Sequence, residues 1–179
     1  QPTARQARDR RVASRDRSED RLPSAEPALK LRLRLGASNF RSTTRLGDWY
    51  ATDLSLGRQR LVICVSELSR FAVVLPAAPY ATVPERLPPA LARVLHLIGV
   101  EPAAIEREMA TMGTIAIAKT SNRSVIGTVN EFVQYLRHLH GNRPISADPF
   151  LLSAELGEFV CLPLKDTYPK EAALRLLSG

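Results

Sequence analysis

No apolar run in the sequence approaches the roughly 20 residues a helix needs to cross a bilayer, so no helical membrane span is expected. Cysteine is scarce: Cys64 and Cys161 are the only two, almost a hundred positions apart. That excludes a disulfide scaffold and a cysteine-built zinc site. Histidine is limited to His96, His138 and His140. His138 and His140 are two apart on an expected helix and point about 200° apart, so they cannot share a metal. There is no Walker loop, no His-Glu-x-x-His, no nucleophile elbow and no Cys-x-x-Cys. No cofactor and no metal are therefore expected. The first basic residues are not followed by an apolar stretch, and four acids in the first 21 residues argue against a transit peptide. The expected compartment is the cytoplasm, with both cysteines as thiols.

What remains is the composition of a globular chain: 179 residues, 45% hydrophobic and 24% charged. A core of that size needs no staple. The formal charge is +7, unevenly placed. Residues 1–29 carry a net +2, residues 30–60 a net +5, and residues 61–179 balance to zero. The excess over 30–60 comes from Lys30, Arg32, Arg34, Arg41, Arg45, Arg58 and Arg60 against Asp48 and Asp53. An anionic partner is one reading of such asymmetry, and a solvated Arg-rich surface is the plainer one.

Residues 1–28 are rich in Arg, Asp, Ser, Ala and Pro and have no hydrophobic period, which predicts a disordered tail. Residues 29–179 are expected to form one domain. Leu29, Leu31, Leu33 and Leu35 alternate with Lys30, Arg32 and Arg34, which predicts a strand with a basic outer face. Trp49–Leu56, Leu61–Val65 and Phe71–Leu75 read as three more strands joined by short turns. Helices are expected from Pro88-Pro89 to Gly99 and from Pro102 to Gly113, then a short strand over Thr114–Ala118. A third helix carries the stripe Val125, Val129, Phe132, Val133, Leu136 and His140. A strand at Phe159–Leu164 and a helix at Pro169–Leu177 complete the reading. The predicted class is α+β: an antiparallel meander covered on one face by about three helices.

One segment concentrates polar chemistry. Lys119, Thr120, Ser121, Asn122, Arg123 and Ser124 lie between a strand and a helix. A helix start offers free N–H groups to an anion, and it also takes Ser and Asn as ordinary caps. Thr128-Val129-Asn130-Glu131 fits a capping box, so the regular helix has an alternative start at Val129. Lys119 and Arg123 have Glu106 or Glu108 as possible partners, and Asp48 with Arg123 would make a nuclease-like pair. Gly127 is unusual inside a helix and fits either a close backbone approach or the later start.

Leu46-Gly47-Asp48-Trp49-Tyr50-Ala51 and Asn122-Arg123-Ser124-Val125-Ile126-Gly127 through Asn130 resemble a family of small bacterial proteins that is a domain of unknown function. The resemblance spans roughly residues 30–160 and implies no established activity. It implies that Asp48, Trp49 and the 119–130 block, Asn130 included, sit at the site the family uses.

Without a catalytic set, the expected function is a non-catalytic module that binds an anionic partner, nucleic acid foremost. The residues for it are Lys30, Arg32, Arg34, Arg58, Arg60, Lys119, Ser121, Asn122, Arg123 and Ser124. One alternative is a regulatory or antitoxin-like subunit that engages a protein, acidic or otherwise. Another is an enzyme acting on a phosphate-containing substrate, with Lys119 and Arg123 cradling the anion and Asp48 as base.

Overall fold

Short turns between apolar strands build the centre of the protein. The computed structural model describes residues 31–35, 42–113, 115–118, 121–142, 148–165 and 167–179. The expected tail, Lys30, Thr114 and Lys119 lie outside the described residues. Strands β1 (Leu31–Leu35), β2 (Trp49–Leu56), β3 (Gln59–Ser66) and β4 (Ala72–Pro76) precede helices α1 (Val83–Leu97) and α2 (Pro102–Thr111). Strand β5 (Ile115–Ala118) follows, then helices α3 (Arg123–Asn142), α4 (Pro149–Gly157) and α5 (Pro169–Ser178). All the pairings are antiparallel, in the order β4-β3-β2-β1-β5.

The α+β meander forms as expected, but its helices lie on both faces where one covered face was expected. The reason is in β3 and β4, which are apolar at consecutive positions and so demand cover on each side. On one face Trp49, Ala51, Val62, Cys64, Val73 and Leu75 pack with Leu91 and Leu95 of α1, Ile105 of α2 and Leu177 of α5. On the other, Tyr50, Leu54, Ile63, Val65 and Val74 pack with Val125, Val129, Phe132 and Leu136 of α3 and Leu152 and Leu156 of α4. Cys64 is fully enclosed, and burial pushes its thiol up to about 12. It is an inert core residue at neutral pH.

Two elements differ from the sequence expectation. Helix α1 starts at Val83, with Pro84 in its first turn, so Pro88 and Pro89 lie inside it. Val83 and Leu87 extend the buried stripe backwards at helical spacing. Residues 159–164 form no strand. Leu162–Leu164 is a single 3-10 turn, and Pro163 cannot donate to a ladder. Phe159 instead sets its ring edge-on to Phe132, at 5.4 Å between centroids.

Helix α4 is the element the sequence reading passed over, and it does structural work on the sheet edge. Asp148 caps it by accepting the Phe150 N–H at 2.8 Å, with Pro149 in the first turn. Ser153 accepts the Val74 N–H at 2.8 Å, so α4 satisfies a donor of edge strand β4. Arg93 of α1 lies over the Phe150 ring at 4.0 Å, closing the two layers around that edge. Among the described residues no helix is long and apolar enough to cross a membrane.

Candidate nucleic-acid interface

Helix α3 is fixed at its start by a small polar lattice. Asn122 is its cap: the side-chain oxygen accepts the N–H groups of Ser124 (3.1 Å) and Val125 (3.3 Å). The same amide donates to Glu67 at 3.0 Å. The Glu67 N–H donates to the Asp48 carbonyl at 2.8 Å, and so ties α3 to the start of β2. Arg70 completes the lattice, donating to the Glu67 carbonyl at 2.6 Å and to the Ser124 hydroxyl at 3.2 Å. The two sequence blocks that carry the family resemblance are thus joined through Glu67.

Arg70 is nearly buried and holds a left-handed backbone, with φ 59. Burial lowers its affinity for a proton, while Cys161, Glu67 and Tyr50 nearby work in the opposite direction. The Cys161 thiol is pushed up by burial, partly offset by the Thr128 hydroxyl at 3.6 Å from its sulfur. These bonds hold the turn at 67–70 against α3, while the buried Arg70 Nε makes no hydrogen bond among the described residues.

The helix therefore begins at Arg123, and the alternative start at Val129 does not occur. Thr128 lies inside it and donates to the Ser124 carbonyl. The capping role of Asn122 leaves Arg123 outside the lattice. Arg123 is exposed and makes no ion pair among the described residues. Glu108 is not its partner, because both Glu108 oxygens accept backbone N–H groups, from Arg45 at 3.0 Å and Leu46 at 3.2 Å. Nor is Asp48, which is buried.

The other expected site residues divide into two ends and a core. Arg32 pairs in register with Tyr50 and Leu33 with Trp49, so the basic strand runs beside the start of β2, on the side where α3 begins. Arg58 sits exposed at the β2–β3 turn, at the far end of the sheet. That turn meets the other end of α3, where a Cβ on Gly57 would lie 2.9 Å from the His140 ring. Arg60 is committed to Asp53 at 3.7 Å and to the Tyr80 hydroxyl at 3.4 Å. Ser121 and Asn130 are exposed. Trp49 is fully enclosed, and Asp48 is buried beside it. Both therefore lie inside the protein, away from the exposed face that carries Arg123.

Two residues escaped the sequence reading although their signal was present. Counting the helical period outward from Arg123 gives Gly127, Asn130, Gln134 and Arg137, on the side opposite the buried stripe. Asn130, Gln134 and Arg137 are exposed, and Arg137, like Arg123 and Arg58, has no ion pair among the described residues. Among the described residues, no atom beyond its chain neighbours and the helix's own backbone lies within 4 Å of where a Cβ on Gly127 would stand. A glycine there costs about 1 kcal/mol relative to alanine and gains no close packing among the described residues. Glu131 is the one acid on the flank of this line.

The profile of a family described as a domain of unknown function, DUF6933, matches residues 26–172. The chain belongs to the DUF6933 family. Both quoted blocks and every element from β1 to α4 fall within the matched span of this DUF6933 domain. No curated protein and no solved structure matches the chain.

Proposed function

We propose that this DUF6933 domain is a non-catalytic binding module for an anionic partner, and that the partner is nucleic acid. The observation that carries the reading is the set of three exposed arginines without ion pairs among the described residues, Arg58, Arg123 and Arg137, spaced along α3 and the turn at its end. The net +5 over residues 30–60 adds to it: β1 sets Arg32 opposite Tyr50 in β2 and Arg34 opposite Ala116 in β5. Helix α3 is about 30 Å long, so these charges span several phosphates. The reading sets the protein in the cytoplasm, which suits its two buried thiols.

Fluorescence anisotropy with labelled nucleic acid over a salt series tests it. Affinity should fall steeply with salt, and Arg58→Ala and Arg123→Ala should each reduce the salt slope by about one. Loss of neither slope nor affinity in the double variant would sink the reading. A protein partner is the second reading, favoured by Val160 and Leu162, which are 63% and 80% exposed. Protein that purifies free of nucleic acid at low salt, and binds none, shifts the weight to it.

A further inference from the structure

We infer that α3 is a recognition helix for double-stranded DNA, its outward line Arg123–Gly127–Asn130–Gln134–Arg137 lying in the major groove. This rests on the nucleic-acid reading above and names the form of the partner. Three observations lead to it.

The first is Gly127. This half-exposed glycine, fifth in a 20-residue helix, has no packing partner among the described residues. A missing Cβ at the crest of a helix lets another surface approach the backbone closely. The second is the chemistry beside it. Arginine, asparagine and glutamine are the side chains that make paired hydrogen bonds to guanine and adenine edges in the major groove. Here they recur at spacings of three and four, so they line one face. The third is charge. Arg123 and Arg137, without ion pairs among the described residues, stand near the two ends of the line, and Arg58 stands beyond its far end, where a groove wall would present phosphates.

The same observations select duplex DNA over the other nucleic acids. A helix with its side chains is about 10–12 Å across, and the B-form major groove is about 12 Å wide. The A-form major groove is too deep and narrow for side chains to read. Single strands are gripped by stacking on aromatic rings. The line on α3 has none: Tyr135 faces Phe159 at 4.7 Å and donates to Glu155.

The full chain, a labelled pool of DNA duplexes of about 20 random base pairs, matching RNA duplexes and single-stranded DNA provide the test. Binding is read by anisotropy at low and moderate salt. DNA duplexes should bind about tenfold more tightly than either competitor. Gly127→Leu should lose about tenfold in duplex affinity while melting no lower than the parent, since leucine is the better helix former and meets open space. Asn130→Ala gives a second readout that leaves the helix backbone untouched, with a loss of similar size. Duplex binding that ignores both variants overturns the inference and leaves the nucleic-acid reading standing. Equal or tighter binding to RNA duplexes or single strands does the same. Binding to no nucleic acid overturns both.

Discussion

Replacing Glu108 with alanine should cost about 3–5 kcal/mol and leave little folded protein at physiological temperature. Glu108 is 1% exposed, and its two oxygens receive the backbone N–H groups of Arg45 and Leu46. Truncation strands two buried donors, each costing about 1–3 kcal/mol, and opens a void where the side chain stood. The damage would reach further than α2, because the Arg45-Leu46 turn leads into β2. Leu46 also accepts from the Ser66 hydroxyl at 2.6 Å and from the Leu68 N–H at 3.2 Å. Urea unfolding measures the loss. A cost under about 1 kcal/mol would show that water replaces the carboxylate.

Glu108 also gives a pH signature with a definite sign. Burial raises its pKa, and the hydrogen bonds from Arg45 and Leu46 only partly counter this. The folded state therefore holds the proton more tightly than the unfolded chain. The stability this contributes is fully present below the unfolded pKa and is lost as pH rises through the folded one. Relative to Glu108→Gln, the parent protein should gain stability as pH falls through that window. A gap independent of pH, or one that closes on acidification, would contradict the shift.

Trp49→Ala should cost about 3–5 kcal/mol, the range for emptying a large buried aromatic site. That lowers the melting temperature by roughly 10 °C for a chain of this size. Trp49 is fully enclosed between the strands and the α1 layer. It is also the only tryptophan, so its emission reports on the parent's unfolding directly, and circular dichroism reports on the variant's. The companion Trp49→Phe keeps most of the volume and should bind nucleic acid like the parent once folded. A folded Trp49→Phe protein with lost binding would return Trp49 to the interface.

The sequence shows the meander because its strands announce themselves twice, by β-branched composition and by short turns. Trp49–Leu56 is recovered residue for residue. Helix α3 is equally legible from its apolar stripe. Helix α4 is not, because its span is apolar nearly all round and shows no period; only Asp148-Pro149 marks its start. The two-sided cover was implied by the continuous run over Leu61–Val65 and needed only the helices to be shared out accordingly.

The candidate site was half legible. The cap at Asn122 and the exposure of Arg123 follow from local chemistry. The bond from Asn122 to Glu67 does not, since it joins a turn and a loop 55 positions apart. Conversely, Asp48 and Trp49 looked functional as a motif. Packing places both inside the protein, where β2 enters the core.

The place of β1 in the sheet bears on the order in which the protein assembles. Strands β2, β3 and β4 find one another through tight turns, and such local closures are fast. Strand β5 must return across two helices before Leu33 can meet Ile117. That seam carries the larger closure entropy and forms onto a meander already in place. Strand β1 is held by short ladders on both sides, three pairs to β2 and four to β5, so this end of the sheet is the first to come undone. Helix α3 follows directly after it in the chain, yet packs on β2 and β3. The helix that presents Arg123 and Gly127 is therefore anchored to the durable half of the sheet, and the seam can open without carrying it away.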